Sequence, residues 1–105
     1  MEVHDIKNFT KGWFIGNFNP SLMATNDFEV ALKKYKAGDY ENSHVHKIAV
    51  EYTLIVSGSV LMNDIEYHTD SIITINPGEY TDFKALTDVV SVVIKTPCVK
   101  GDKYE

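Results

Sequence analysis

The sequence predicts an all-β fold of two packed antiparallel sheets. Short apolar runs recur along the chain between turn residues, and about eight or nine such strands at these intervals indicate a sandwich or a barrel. Residues 89–95 (VVSVVIK) have the highest β propensity and are predicted to form a central strand. With 105 residues, 44% of them hydrophobic, the chain is predicted to be one domain.

Two strands are predicted in the first third of the chain, after an N-terminal arm at 1–10. Residues 11–18 (KGWFIGNF) are rich in aromatic and β-branched side chains and end at an Asn-Pro turn signal. Residues 21–26 are predicted to be a loop or a single helical turn. Over residues 28–35 apolar and polar side chains alternate with period 2, which favours a half-buried strand over the alternative of a helix.

The second half of the chain reads as short strands joined by tight turns. A Ser-Gly turn and an Asn-Asp hairpin signal separate the first three of these strands. The strand SIITI has the composition of a buried strand, and a polar tail at 97–105 follows the central strand. The predicted strands before the central one cover residues 51–56, 59–62, 65–68, 71–75 and 80–84.

Two histidines and a carboxylate lie close together between Gly38 and Gly58. Five residues separate Gly38 from His44, one separates His44 from His46, four precede Glu51, and six lead to Gly58. Side chains two apart on a strand share a face, so both imidazoles can bind one ion. Glu51 can reach the same ion if the intervening residues turn the chain into an antiparallel neighbour.

This pattern, G-x5-H-x-H-x4-E-x6-G, resembles the first conserved motif of the cupin superfamily. The resemblance implies a cupin-type β-barrel, the double-stranded β-helix or jelly roll, in a small stand-alone domain. It also implies a divalent metal ion (Fe, Mn or Zn) held by His44, His46 and Glu51. Two histidines and one carboxylate form the facial triad of non-haem Fe(II) enzymes, which leaves coordination sites open.

The second cupin motif, G-x5-P-x-G-x2-H-x3-N, is degenerate over residues 70–85. Gly78 matches it, but Thr81 stands where the family has a metal-binding histidine, and three other fixed positions are substituted. Thr81 is predicted to face the site, although a neutral hydroxyl is a poor ligand. Asp82 is a candidate fourth ligand only through a bulge or a shifted register, because neighbours on a regular strand point to opposite faces.

The resemblance also predicts which residues line the barrel. Thr53 and Ile55 share a strand face with Glu51, so they are predicted to point into the barrel interior. Thr81 and Phe83, on the strand of the second motif, are predicted to line the same pocket.

These observations predict a metal-binding cupin that takes a small polar ligand, as an enzyme of oxygenase or isomerase type. One alternative is a non-enzymatic ligand-binding or sensor domain. Another is a metal-free carbohydrate isomerase in which His44 or His46 is the catalytic base. That alternative depends on the similarity of GWFIGNF to the R-G-W/F-F strand of cupin-type sugar-nucleotide epimerases.

Composition bears on partners and location. Ten basic residues against fifteen acidic ones give a net charge of −5, so no nucleic-acid partner is predicted. No run approaches the ~20 apolar residues of a membrane span, so no membrane partner is predicted either. The N-terminus lacks the pattern of a signal peptide, and the lone Cys98 suits a reducing compartment. A cytoplasmic location is therefore predicted.

The first predicted strand carries Trp13, Phe14 and Ile15 in succession. An apolar edge strand invites aggregation unless it is covered, so a C2 homodimer built partly on this strand is predicted. Trp13 and Phe14 are interpreted as core or subunit-interface residues, with a platform for substrate as the alternative.

Overall fold

The computed structural model describes all residues from 1 to 105. Helical structure is limited to two 3-10 turns, at Ile6–Asn8 and Thr10–Gly12, and no helix is long and apolar enough to cross a membrane. The all-β prediction is confirmed. The strands are β1 (Trp13–Ile15), β2 (Glu29–Tyr35), β3 (Tyr40–Val45), β4 (Val50–Ser57), β5 (Ser59–Met62), β6 (Ile65–His68), β7 (Ile72–Ile75), β8 (Tyr80–Ala85) and β9 (Val89–Thr96).

Five strands form one antiparallel sheet in the order β1-β2-β9-β4-β7. β9 lies at its centre, as the apolar run of this strand predicts. The period-2 segment is the strand β2 and not a helix, and it pairs with β9 along its whole length. Side chains at alternate positions of β2, β9 and β4 therefore form rows across the inner face of this sheet.

The second sheet has four strands in the order β3-β8-β5-β6. β5 and β6 form the predicted hairpin, in which Asn63 and Asp64 have φ values of 50° and 65°, as a tight hairpin turn of the primed type requires. β3 pairs with β8 so that His44 lies opposite Thr81. Thr81 thus faces the site, as the alignment with the second cupin motif predicts.

The interior of the barrel is apolar at one end and polar at the other. Burying a large apolar side chain fully contributes ~1.5–3 kcal/mol, so the apolar end holds the sheets together. This leaves the opposite end free to carry polar groups. The core cluster consists of Ile55, Val60, Met62, Ile75, Phe83, Ala85 and Val89.

Two strands differ from their predicted form. β1 covers Trp13–Ile15 and not residues 11–18, because Lys11 adopts a left-handed φ of 52° within a 3-10 turn. The buried-type strand predicted at 71–75 is β7, which lies at a sheet edge. Ile72 is 67% exposed there, so the prediction of a buried strand is wrong.

The histidine and glutamate strands are not neighbours. β3 pairs with β8, whereas β4, which carries Glu51, pairs with β7 and β9 in the other sheet. The residues between His46 and Glu51 therefore cross from one sheet to the other. The carboxylate meets the histidines across the barrel and not along a hairpin.

The predicted polar tail is part of the fold. Asp102 is only 6% exposed, and its carboxylate accepts hydrogen bonds from the backbone N–H groups of Lys47, Ile48 and Ala49 at 2.8–3.3 Å. Tyr104 forms a β-bridge with Val45. The tail therefore fixes the crossover between the two sheets.

Candidate functional site

Polar side chains form the inner surface of the five-stranded sheet at the mouth of the barrel. The strand registers place Lys95 of β9 between Glu29 of β2 and Glu51 of β4. The Nζ atom of Lys95 lies 3.6 Å from Glu29 Oε1. One row further into the barrel, Thr53 is only 3% exposed. This end of the interior is thus charged, although it is largely shielded from solvent.

His44 projects into the barrel from β3. Its side chain is largely buried, and its Nδ1 atom lies 3.1 Å from the backbone oxygen of Asn42. Nδ1 is the donor in this contact because the carbonyl can only accept. The Nε2 atom is then the unprotonated nitrogen of the neutral ring, and it is available to a ligand or a metal ion.

His46 lies just after the end of β3 and is 3% exposed. Its Nδ1 atom donates to the backbone oxygen of Asp102, a residue of the docked tail. Its Nε2 atom is buried and lies 3.3 Å from Glu51 Oε1, but it makes no hydrogen bond of good geometry. The His46 ring packs edge to face on His44, with 5.2 Å between the ring centroids.

Glu51 connects the imidazoles to the five-stranded sheet. Burial raises the pKa of this carboxyl, but His46, Lys95 and a 3.0 Å hydrogen bond from Thr53 Oγ1 outweigh burial and leave the pKa below its usual value. The Glu51 carboxylate in turn raises the pKa of His46 against the opposing effect of burial. The carboxylate therefore attracts the imidazole whenever the ring is protonated.

A cavity of about 370 Å³ opens beside these residues. His44, Glu51 and three predicted lining residues, Thr53, Thr81 and Phe83, form part of its wall. Ile55 does not line the cavity but is fully buried in the apolar core, because it lies further along β4. His46 lines an adjoining cavity of similar volume together with Asp102.

The donor set suits a divalent metal ion, but it is not preassembled around one point. No three His, Cys, Asp or Glu side chains are placed to hold an ion as they stand. Both Nδ1 atoms are nevertheless held by backbone carbonyls, which is how metal-binding histidines are commonly oriented, with Nε2 left for the ion. The buried, unpartnered Nε2 of His46 beside Glu51 therefore fits a metal ligand.

Asp82, the candidate fourth ligand, is engaged elsewhere. Its Oδ1 atom accepts a 2.7 Å hydrogen bond from the backbone of Asn63, and Asn63 Oδ1 accepts one from Asp82 N–H in return. The residue still lines the cavity at its rim. Its role as a ligand stays a prediction, and its structural role is to hold β8 against the hairpin.

Sequence reasoning did not single out the basic residues of the site. Lys33 and Lys95 lie 4.9 and 5.1 Å from the centre of the Trp13 ring, and all three line the cavity. Trp13 thus forms part of the cavity wall, where a platform for substrate would lie, and that role stays a prediction. In the period-2 pattern of β2, Lys33 lies on the same face as the buried Ala31. This pattern was the sequence signal that Lys33 points into the barrel.

Comparison with known proteins identifies the fold. A double-stranded β-helix protein from Klebsiella pneumoniae has a TM-score of 0.70 and 18% identity, with 94% of this chain and 87% of that chain covered. KdgF from Halomonas sp. has a TM-score of 0.63 and 17% identity, with 70% and 72% covered. A cupin-superfamily sugar phosphate isomerase from Silicibacter pomeroyi has a TM-score of 0.59 and 18% identity, with 67% and 50% covered.

No protein-family model matches the sequence, and no curated protein resembles it in sequence. The likeness is therefore one of fold. The chain has the fold of a small cupin domain.

Proposed function

We propose that this cupin-fold protein binds a small polar ligand in its barrel, next to a divalent metal ion held by His44, His46 and Glu51. One observation carries the proposal. Both Nδ1 atoms donate to backbone carbonyls, and the Nε2 atom of His46 is left buried, without a hydrogen bond, 3.3 Å from the Glu51 carboxylate. An uncompensated buried nitrogen is costly, and an ion would satisfy it.

The residues of the chain have separate tasks in this proposal. Asn42 and Asp102 fix the two imidazoles through their backbone oxygens, and Thr53 orients the carboxylate. A bound divalent ion would supply Lewis acidity to an oxygen of the ligand. Much of the polar wall is buried between the two sheets, and lower solvent exposure strengthens polar contacts there.

Metal content tests the assignment directly. Untagged protein is expected to carry about one ion of Fe, Mn or Zn per chain by elemental analysis. His44→Ala and His46→Ala should each abolish metal binding. Glu51→Gln should weaken metal binding less, because the amide keeps one oxygen but loses the charge. Such a site adds stability without creating the fold, so the far-UV circular dichroism of the variants should stay β-type.

His68 supplies the matched control. It is an exposed histidine that pairs with Glu66 at 3.1 Å, on the strand β6 at the edge of the four-stranded sheet. His68→Ala should keep the metal content of the wild type. If His44→Ala, His46→Ala and Glu51→Gln keep it as well, these residues are not the ligands.

The second candidate uses the same residues without metal. The His46–Glu51 pair favours it, because a carboxylate that raises the pKa of an imidazole can prepare it for proton transfer. One structural neighbour is named as a sugar phosphate isomerase of the cupin superfamily. Turnover of a sugar substrate by metal-free protein would favour this candidate, whereas ligand binding without turnover would indicate a sensor.

A further inference from the structure

The barrel cavity has the opposite charge balance to the rest of the chain. The sequence has ten basic and fifteen acidic residues, yet lysines outnumber carboxylates on the cavity wall. An excess of positive charge in a cleft favours anionic ligands. The lining lysines are Lys11, Lys33, Lys95 and Lys103, and the lining carboxylates are Glu41, Glu51 and Asp82.

Two of these lysines are brought together on one aromatic ring. The Nζ atoms of Lys33 and Lys95 lie 4.9 and 5.1 Å from the centre of Trp13, within the range of a cation–π contact. Burial lowers the pKa of Lys33, and repulsion from Lys95 adds to this effect although Glu41 opposes it. The arrangement therefore places two positive charges around one aromatic ring in the cavity wall.

Each ammonium group retains unused hydrogen-bonding capacity. Lys33 Nζ donates one hydrogen bond within the protein, to the backbone oxygen of Lys11 at 2.8 Å. An ammonium group has three donors, so Lys33 can serve a ligand as well. Lys95 has a single acidic contact, with Glu29 at 3.6 Å, which is longer than a direct hydrogen bond.

A buried hydroxyl lies in the same wall. Ser91 is directly opposite Lys33 in the register of β2 and β9, and it is 1% exposed. Its Oγ atom has no hydrogen-bond partner in the protein, and the residue lines the cavity. Buried hydroxyl groups are nearly always hydrogen-bonded, so an unpartnered one that lines a cavity indicates a ligand contact.

We infer that the ligand of this cavity carries an oxyanion, a carboxylate or a phosphate, which Lys33, Lys95 and Ser91 bind. The two ammonium groups donate to its oxygens and neutralise its charge, and the Ser91 hydroxyl donates a further hydrogen bond. Trp13 is a positioning residue, because it holds the two ammonium groups in place. The inference rests on the proposed function only in taking the cavity as the ligand site, and it does not require the metal ion.

Trp13 is the single tryptophan of the chain, so its fluorescence reports on this site alone. The protein would be titrated with glucose 6-phosphate, glucuronate and glucose at fixed ionic strength, because salt screens exposed charges. These probes share one skeleton and differ in their terminal group. A saturable change is expected with the anions and none with glucose. Tighter binding of glucose 6-phosphate would identify a phosphate site, and tighter binding of glucuronate a carboxylate site.

Lys34 provides the matched control for Lys33. It is the next residue on the same strand, but it is exposed on the opposite face. Lys33→Met should raise the Kd for the better anion about tenfold, the usual effect of losing one charge-assisted hydrogen bond, and Lys34→Met should leave it unchanged. Equal Kd values for these two variants, or binding of glucose as tight as that of the anions, would overturn the inference.

Each titration would be repeated on protein treated with EDTA. Saturable anion binding by a protein that never carries metal would refute the metal centre and support the oxyanion site. Stoichiometric metal without any saturable fluorescence response of Trp13 to the anions would support the metal centre and refute the oxyanion site. The two proposals can therefore fail independently.

Discussion

The two faces of the five-stranded sheet differ in polarity. On each face the polarity of the side chains is the opposite of what its exposure to solvent would suggest. The inner face at the barrel mouth is shielded from solvent but carries charged and hydroxyl side chains. The outer face of the same strands is partly exposed to solvent but is mostly apolar. One inner row consists of Glu29, Lys95 and Glu51, and the adjacent outer row consists of Val30, Ile94 and Tyr52.

Exposure values make the contrast quantitative. Ser91 and Thr53 on the inner face are 1% and 3% exposed, whereas Ile94, Tyr52 and Ile72 on the outer face are 37%, 39% and 67% exposed. A sheet packed on one side normally shows the reverse pattern. Buried polar groups cost stability unless they are hydrogen-bonded or paired, and a large exposed apolar patch often marks an interaction surface. The departure on the inner face agrees with the ligand site proposed above, and the departure on the outer face can be tested by measuring self-association.

The largest expected effect on stability is at the inner charged row. Lys95→Met leaves Glu29 and Glu51 in neighbouring positions without the cation between them. Removing one member of a buried ion pair strands the remaining charge, so we expect a loss of roughly 3 kcal/mol in the free energy of unfolding, measured with urea. Lys34→Met, on the outer face, should change it by no more than ~0.5 kcal/mol. A loss that small for Lys95→Met as well would mean that the inner row is well hydrated.

A smaller effect is expected at the tail that closes the polar end. Asp102→Ala removes the acceptor of three backbone N–H groups, at a cost of about 2 kcal/mol. Burial raises the pKa of Asp102, but the hydrogen bonds from Ala49, Lys47 and Ile48 outweigh it and leave the pKa below its usual value.

The lowered pKa of Asp102 determines how its contribution to the unfolding free energy depends on pH. A carboxyl with a lowered pKa in the folded state stabilises the fold fully above its unfolded pKa of ~3.9, and this stability is lost as the pH falls through the folded value. The difference in unfolding free energy between wild type and Asp102→Ala should therefore be constant from pH 7 to about 5 and shrink below pH 4. A difference that grows on acidification would contradict this assignment.

The fold and the position of the site could be predicted from the sequence, because both depend on patterns within short segments of the chain. The valine-rich run predicted the central strand β9, and the spacing of His44, His46 and Glu51 brought these residues to one end of the barrel. Asn63 and Asp64 predicted their hairpin because both side chains tolerate left-handed backbone conformations.

What the sequence did not predict depends on contacts between distant segments. Asp102 follows the crossover that it caps by more than fifty positions, and no local pattern indicates that contact. The placement of Lys33 and Lys95 around Trp13 requires the register of β2 against β9. The exposure of Ile72 depends on its strand being at the sheet edge, which composition does not reveal.

The homodimer built partly on the first strand stays a prediction, and we extend it to the apolar outer face of the sheet that contains β1. Ile94→Lys should leave the unfolding free energy of the monomer within ~0.5 kcal/mol, since Ile94 is already partly exposed. The same change should raise the dimer dissociation constant at least tenfold, because it buries a charge in an apolar interface. Light scattering over a concentration series measures it.

Ile65→Lys is the control for the outer face, since Ile65 is 55% exposed but belongs to the other sheet. It should leave the association unchanged. If the wild-type protein is monomeric at micromolar concentration, the homodimer prediction is wrong, both for the edge strand β1 and for the outer face.

The smallest expected effect on stability is at Ser91, and its sign is informative. Ser91→Ala deletes a hydroxyl that has no hydrogen-bond partner in the protein, so folding loses no contact and the buried site loses a polar group. We expect the urea midpoint to stay the same or to rise slightly. Affinity for the oxyanion should fall a few-fold in the same variant, because the ligand loses one donor. Residues retained for function at the expense of stability behave in this way. If Ser91→Ala instead lowered stability by more than ~1 kcal/mol and left anion affinity unchanged, the hydroxyl would belong to the fold and not to the site.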